Sequence, residues 1–381
     1  METITRKKRL RELDFLRGIA ILLVLFRHQF LYEFTQKAGW IGVDLFFVLS
    51  GFLVSGLLFK EFQRFGNIRP KLFLIRRGFK IYPIYYLFYS IYLIPIVIQE
   101  EFNATGFIAD MLFIQNYIVG WGYAYAPSWS LAVEEHFYFA TAAVMFFILR
   151  EKNSFWSVGA LKTFRFERWI VAILVLCLAM RIVSNVYLPE AGARNITMTH
   201  LRIDSLLAGV LISFWYHFKR QAFTLFIQRH KKWLLVVAML LLSFTPFVEH
   251  SKSIYVLTIG FTVIYIAFGI VLSWFLTDGQ INRRLDRYLS ATVVNGVAKI
   301  GVASYSIYII HSFVNYAFNV GVGFVFSQPL IPIIMFLTTS LISILCGLFM
   351  TTYVETFFLN IRDRYFPARN AESRNVHLTQ K

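Results

Sequence analysis

The sequence is poor in charged residues and in cysteine. Only 15% of its 381 residues are Asp, Glu, Lys or Arg, and 57% are hydrophobic, whereas a soluble domain carries about 25% charged residues. Its 21 glycines and 9 prolines are too few for a collagen-like or low-complexity chain. The two cysteines, Cys177 and Cys346, lie in apolar runs and indicate small buried side chains. This composition excludes an ordinary soluble enzyme and predicts a polytopic α-helical membrane protein.

Long apolar runs recur along almost the whole chain. About 20 apolar residues cross a bilayer as a helix, and ten such runs leave only short connections. We expect an all-α transmembrane helix bundle of about ten spanning helices, with a basic N-terminus (1–12), a membrane domain (13–353) and a C-terminal tail (354–381). The spans are predicted at about 13–31, 41–59, 81–98, 128–149, 169–188, 200–218, 233–248, 255–276, 300–320 and 331–353.

Acidic residues are scarce relative to basic ones. The chain has 21 Asp and Glu against 38 Lys and Arg, a net charge of +17. With both termini in the cytoplasm, the inner segments hold 31 Lys or Arg and the outer loops hold 3, which is the bias of cytoplasmic loops. The excess of positive charge therefore predicts topology, and no nucleic-acid partner is expected.

The first predicted span carries Asp14, Arg17 and His28 on one face. Arg17 and His28 are eleven residues apart, which is three turns and roughly 16 Å along a helix. An ionisable group in a span costs about 2.5–3.5 kcal/mol at the helix centre on insertion scales, so such groups indicate function. One interpretation is a polar stripe along a cavity. The other is a snorkelling Arg17 with a His28 bonded to a neighbouring helix, and both stay open.

A cationic cluster precedes the third predicted span. Arg77 and Lys80 have i,i+3 spacing and Arg76 and Lys80 have i,i+4 spacing, so a helical start would gather all three. Ordinary cytoplasmic positive charge explains the cluster if it is taken alone. The functional alternative is a clamp for the phosphates of a ligand at the cytoplasmic mouth.

The fourth predicted span begins with polar residues at helical spacing. Ser130 and Glu134 lie four residues apart on one face, and Glu135 and His136 follow directly. Two adjacent carboxylates and a histidine in an apolar run are poorly explained by structure alone. We therefore expect Glu134 to take part in the chemistry.

Five other polar residues fall inside predicted spans and are expected to support the site. For most of them a hydrogen bond between helices is an equal explanation, and for Tyr308 it is the favoured one. A carboxylate at the outer end of the second span is also explained as a helix cap. The five are Asp44, Arg202, Asp204, Tyr308 and His311, and Asp14 and Ser130 are expected to support the site with them.

Taken together, these segments resemble the acyltransferase-3 family of integral membrane O-acyltransferases, of the type that acetylates bacterial surface polysaccharides. Each motif alone is weak, but six in this order are specific. One departs from the family pattern, because Lys80 stands where a second arginine is usual. The motifs are Leu13-Asp14-Phe15-Leu16-Arg17-Gly18 with Arg17-x10-His28, Gly42-Val43-Asp44-Leu45-Phe46-Phe47, Arg76-Arg77-Gly78-Phe79-Lys80, Ser128-Trp129-Ser130-Leu131-Ala132-Val133-Glu134-Glu135, Arg202-Ile203-Asp204-Ser205-Leu206 and Tyr305-Ser306-Ile307-Tyr308-Ile309-Ile310-His311.

The resemblance implies transfer of an acyl group, commonly acetyl, from cytoplasmic acyl-CoA to a hydroxyl of an extracytoplasmic or lipid-linked glycan. The protein would lie in the bacterial inner membrane. No metal and no permanently bound cofactor are expected, since acetyl-CoA is a substrate. The chain continues about 28 residues past its last predicted span, so we expect it to work alone or with a separate extracytoplasmic partner.

The residues fit this chemistry. A neutral histidine can remove the proton of an alcohol as it attacks a thioester, and burial would keep His28 in that basic form. Arg17 could stabilise an oxyanion or position the donor. Glu134 could orient the base or the acceptor. The cations at 76, 77 and 80 would bind the CoA phosphates.

A secondary transporter or flippase is the alternative function. Ten spans with buried ionisable groups would suit one. Transporters, however, often have two related halves with broken helices, and no such repeat is visible in this sequence. The transferase interpretation is therefore preferred.

Overall fold

The structure is a computed structural model that describes residues 10–150, 165–325 and 331–369. These ranges are helical and contain no strand, which confirms the all-α class. Most of the predicted N-terminal region (1–12) and the end of the predicted tail (370–381) lie outside the described residues. The first helices are α1 (Arg11–His28), α2 (Glu33–Gly39), α3 (Gly42–Phe65), α4 (Pro70–Ile98), α5 (Ala104–Met111), α6 (Gln115–Ile118) and α7 (Trp129–Arg150).

The second half of the chain continues the bundle. Two π-helical turns, Val256–Gly260 and Thr351–Glu355, each lead directly into an α-helix. The helices are α8 (Arg165–Tyr187), α9 (Arg194–Thr197), α10 (Thr199–Phe218), α11 (Arg220–Leu242), α12 (Phe261–Thr277), α13 (Ile281–Leu289), α14 (Ala291–Val302), α15 (Ser304–Val325), α16 (Pro332–Met350) and α17 (Thr356–Tyr365).

Seven of the described helical segments are long and apolar enough to cross a membrane. They are Glu33–Phe65, Pro70–Ile98, Phe166–Tyr187, Arg194–Phe218, Val256–Thr277, Ser304–Val325 and Pro332–Tyr365. The chain is therefore an integral membrane protein, as predicted. The other three predicted spans correspond to α1, α7 and α11, which are helices of 18, 22 and 23 residues. The count of ten and the cytoplasmic termini stay predictions.

Several helices extend beyond the predicted apolar runs. Helix α4 begins at Pro70, about ten residues before the predicted span, so the cluster of Arg76, Arg77 and Lys80 lies within a helix. Helix α11 begins at Arg220 and ends at Leu242, whereas the span was predicted at about 233–248. Apolar runs mark only the part of a helix that lies in hydrocarbon, and Lys, Arg and Gln extend the helix beyond it because they are good helix formers.

Glycines bring two pairs of helices into backbone contact. A Cβ on Gly51 of α3 would lie 1.9 Å from the carbonyl oxygen of Leu206 in α10, and a Cβ on Gly209 would lie 2.1 Å from that of Val48. Likewise, a Cβ on Gly301 of α14 would lie 1.8 Å from the carbonyl oxygen of Asp14 in α1. Such close approach is typical of membrane helices. It fixes the positions of α1, α3 and α10, which carry six of the thirteen predicted site residues.

The aromatic segment 99–127 packs against helix α4. Its short helices α5 and α6 contain the buried polar side chains Asp110, Gln115 and Asn116. The Asp110 carboxylate accepts hydrogen bonds from the backbone N–H groups of Tyr123 and Ala124, both at 3.0 Å. The segment also contacts the middle of α4, where Tyr85 and Tyr86 donate to the carbonyls of Asp110 and Met111.

Candidate functional site

A wide basic cavity opens at the end of the bundle where α1 begins. Its volume is about 640 Å³, and it lies between α1, the end of α3, the start of α4 and the residues around α17. Apolar side chains form much of its wall, together with seven Lys or Arg residues and three acids. The charged lining residues are Arg17, Lys60, Arg76, Arg77, Lys80, Arg362 and Arg369, with Asp14, Glu61 and Glu134. We call this space the basic cavity.

The three cations predicted from the α4 sequence all line the basic cavity, and each has a partner elsewhere in the fold. An Arg76 nitrogen lies 2.9 Å from an Asp363 oxygen. The Lys80 amine lies 3.6 Å from Glu355. The Arg77 guanidinium lies 5.3 Å from the centre of the buried Tyr138 ring. The helical spacing therefore gathers the cations as predicted, and partners from the second half of the chain and from α7 position them.

Arg17 and Glu134 lie where the basic cavity narrows. The Glu134 carboxylate accepts hydrogen bonds from Ser50 at 2.7 Å and from Tyr138 at 2.8 Å. Arg17 donates to the Ser304 hydroxyl at 3.0 Å. Both residues also line a second, narrower cavity of about 70 Å³. The structure thus brings together two of the three predicted catalytic residues at a neck between the cavities.

Ser130 and Tyr308 line the narrow cavity beyond the neck. Their hydroxyl oxygens are 2.7 Å apart, and Tyr308 also donates to the Pro127 carbonyl at 2.9 Å. The predicted hydrogen bond between helices therefore exists for Tyr308. These buried hydroxyls form a polar wall at the inner end of the narrow space.

His28 lies at the far end of α1, next to His311. The two rings meet edge to face with centres 4.8 Å apart. His28 Nδ1 lies 2.9 Å from the Val24 carbonyl oxygen and His311 Nδ1 lies 2.7 Å from that of Tyr308. A carbonyl only accepts, so each Nδ1 carries the proton and each Nε2 carries the lone pair. His28 therefore presents a basic nitrogen.

His28 lies in the last turn of α1, and part of its side chain is accessible at the surface, whereas His311 is fully buried. The expected burial of the His28 imidazole stays a prediction. Since α1 is continuous, the Cα atoms of Arg17 and His28 are roughly 16 Å apart. Three helical turns therefore separate Arg17, in the middle of α1, from His28 at its end.

Asp44, Arg202 and Asp204 lie outside the lining of both cavities, in a buried cluster of charges. Arg202 pairs with Asp44 at 2.7 Å, and Asp204 pairs with Arg181 at 2.8 Å, with every side chain at most 2% exposed. The Arg202 guanidinium also lies 3.6 Å from the centre of the Phe261 ring. Asp44 binds this arginine and Ser205, so the helix-cap explanation does not describe its contacts. We call Asp44, Arg181, Arg202 and Asp204 the buried quartet.

The comparison with known proteins gives the family. A family model described as an acyltransferase domain, Acyl_transf_3, matches residues 10–352. The chain belongs to the acyltransferase-3 family. The resemblance inferred from the six motifs is confirmed, and so is the class of enzyme at the level of the family.

Several curated proteins are similar to this acyltransferase-3 chain. A protein of Staphylococcus aureus (strain COL) named "Putative O-acetyltransferase" is 30% identical over 233 residues, which are 56% of this chain and 37% of that protein. The peptidoglycan O-acetyltransferase OatA of Listeria monocytogenes is 29% identical over 167 residues, 39% of this chain and 26% of that protein. The chain thus matches about a third of the length of these relatives. No solved structure matches it significantly.

Sequence analysis missed several charged residues that matter to this acyltransferase-3 structure. Lys60, Arg362 and Arg369 line the basic cavity, although they lie far apart in sequence and each resembles ordinary cytoplasmic charge. Arg181 completes the buried quartet. An arginine within an apolar run was the available signal for it. No group of three or more His, Cys, Asp or Glu side chains able to hold a metal occurs in the described ranges.

Proposed function

We propose that this chain moves an acyl group, acetyl in the first instance, from cytoplasmic acyl-CoA to a hydroxyl of an extracytoplasmic or lipid-linked glycan. The observation that carries the proposal is the basic cavity with its neck at Arg17 and Glu134. Family membership supports acyl transfer, and the relative named as a peptidoglycan O-acetyltransferase supports a glycan acceptor. The membrane would be the bacterial inner membrane, with the basic cavity on its cytoplasmic side.

The basic cavity suits the phosphate-bearing end of the donor. A volume of about 640 Å³ falls within the range of about 300–1,000 Å³ for small-molecule sites. Arginine forks and lysine amines are the usual partners of phosphate groups. Lys80 supplies charge without the bidentate geometry, so Arg77 would make the more directional contact. Acetyl-CoA would bind here as a substrate, with no permanently bound cofactor.

The neck and the narrow cavity suit the thin pantetheine arm. Arg17 and Glu134 would flank the arm, while Ser130 and Tyr308 would offer it hydroxyl groups. An oxyanion donor must lie about 3 Å from the developing charge. Since Arg17 is three turns away from His28, it would position the donor and would not stabilise an oxyanion at His28. Glu134, at the same neck, would share that positioning role.

His28 would act as the general base. The alcohol oxygen attacks the thioester carbonyl carbon, a C–O ester bond forms, and the C–S bond breaks. Nε2 of His28 takes the proton of the alcohol, and this proton passes on to the departing CoA thiolate. His311 would support the ring of His28 through their edge-to-face contact. The acceptor would approach from the end of α1 that carries His28, either directly or delivered by a separate extracytoplasmic partner.

The experiment is a thiol-release assay with purified protein, acetyl-CoA and a glycan acceptor. We expect acceptor-dependent release of free CoA thiol, and loss of this activity in His28→Ala with normal protein yield. His230→Ala is the matched control, because His230 lies exposed on α11 away from both cavities. If the wild-type chain with acceptor released no thiol, the transferase assignment would fail and a transporter or flippase would become the better explanation. An active His28→Ala variant would contradict the role of His28.

A further inference from the structure

Residues 362–369, at and after the end of α17, cross the mouth of the basic cavity; we call them the strap. On one side Arg76 contacts Asp363 and donates to the Phe366 carbonyl. On the other side Arg369 lies 3.5 Å from Glu61 and donates to Asn67 at 2.6 Å. The strap is therefore tied to both α3 and α4.

Asp363, in the strap, contacts two arginines at the rim of the basic cavity. Its carboxylate lies between two guanidinium groups, at 2.9 Å from Arg76 and 2.9 Å from Arg362. Both arginines line the basic cavity, whereas Asp363 does not. The Asp363 side chain is 53% exposed, against 22% for Arg76 and 16% for Arg362. A solvent-exposed anion thus sits on two partly buried cations at the rim of the cavity.

A phosphate group would fit the same two arginines. Guanidinium groups bind carboxylates and phosphates with the same paired hydrogen bonds, and a phosphate offers more charge and more acceptor oxygens. Ion pairs at exposed positions are weak, so a ligand anion can replace such a carboxylate at little expense in stability. The hydrogen bond from Arg369 to Asn67 ties the strap to the bundle independently of Asp363.

We propose that Asp363 competes with a donor phosphate for Arg76 and Arg362, and that both arginines release Asp363 when acyl-CoA binds in the basic cavity. This inference rests on the proposed function, because it assigns the phosphate end of the donor to the strap. Asp363 then acts as a competing internal anion that sets the affinity for the donor. Arg362 becomes a phosphate-binding residue that the sequence motifs do not contain.

The first test is the dissociation constant of CoA for purified Asp363→Asn. Removing the competing charge should tighten CoA binding by about twofold to fivefold, the range in which exposed ion pairs act. Asp363→Glu keeps the charge and should bind as the wild type does. Asp286→Asn is the matched control, because Asp286 pairs with Arg11 at 2.5 Å and neither residue lines the cavity. An unchanged dissociation constant in Asp363→Asn would overturn the proposal.

The second test separates phosphate binding from a general change in charge or folding. With acetyl-pantetheine, which has no nucleotide phosphates, Asp363→Asn should leave the KM unchanged. An equal decrease of the KM for acetyl-pantetheine and acetyl-CoA would contradict displacement by phosphate. If the wild-type chain bound no CoA at all, the proposed function would fail together with this inference. CoA binding that is insensitive to Asp363→Asn would remove only the inference.

Discussion

The buried quartet and the basic cavity use the same kinds of side chain in opposite ways. In the quartet, Arg202 and Asp44 are at most 2% exposed and pair with each other at 2.7 Å. In the cavity, Arg76 and Lys80 are 22% and 23% exposed and have partners on the C-terminal helices. The charges of the quartet pair with each other inside the bundle, whereas the cavity cations are paired but stay partly exposed on the cavity wall.

This difference shows that an ionisable residue in a membrane segment does not by itself mark a binding site. Asp44, Arg202 and Asp204 lie in the sequence segments that suggested the resemblance, as Arg77 does, yet they tie α3, α8 and α10 together. Their predicted support of the site would then act through the placement of helices. The comparison predicts that quartet variants lose stability, while cavity variants lose donor binding or turnover.

The largest effect is expected from Arg202→Gln. It leaves Asp44 buried without its charged partner, which costs about 3–5 kcal/mol. We expect a steep drop in yield and in the melting temperature of the detergent-solubilised protein. The double variant Asp44→Asn with Arg202→Gln removes both charges and should recover part of that loss. Equal stability of Arg202→Gln and the wild type would contradict the structural role of the quartet.

Arg17→Gln, at the neck, should lower the activity without lowering the stability of the folded protein. Misplacement of a bound substrate by about 1 Å can cost about a hundredfold in rate, so we expect kcat/KM for acetyl-CoA to fall by about that factor. The melting temperature should stay near that of the wild type, since Arg17 is only partly buried.

Glu134→Gln tests the second residue at the neck between the two cavities. If Glu134→Gln abolished turnover while His28→Ala did not, the general base would be Glu134.

Arg77→Gln should act on donor binding alone. A hydrogen bond to a charged group is worth about 1.5–3 kcal/mol, so the KM for acetyl-CoA should rise by about tenfold or more with kcat nearly unchanged. Arg287→Gln is a suitable control, because Arg287 lies on α13 and does not line the basic cavity. A fall in kcat without a change in KM would place Arg77 outside the donor site.

The smallest effect is expected at the ion pair between Arg27, near the end of α1, and Glu249, in the segment before Val256. Contacts with His250 and Arg27 hold the pKa of the Glu249 carboxyl well below its usual range. A depressed pKa stabilises the folded state above the unfolded value of about 4.3 and loses this effect as the pH falls through the folded value. Glu249→Gln should therefore melt slightly below the wild type at pH 7, and the difference should shrink below about pH 4. A constant difference across this range would contradict the pairing.

The sequence predicted those features that depend on local spacing. The eleven-residue interval between Arg17 and His28 becomes one continuous helix, and the interval from Arg76 to Lys80 gathers three cations on one cavity. Features that depend on tertiary packing were not predictable. Arg202 meets Asp44 across 158 residues of sequence, and Arg369 reaches the basic cavity from the far end of the chain. The contact between the rings of His28 and His311 likewise depends on packing that no local pattern specifies.

The most direct test of the account is the binding of acetyl-CoA to the purified wild-type chain at increasing salt concentration. Contacts between phosphates and partly exposed cations are screened by salt. We therefore expect the dissociation constant to rise with salt, and to rise less steeply when Arg77 and Lys80 are both replaced by Gln. A dissociation constant that changes neither with salt nor with these two substitutions would contradict the assignment of the basic cavity as the donor site.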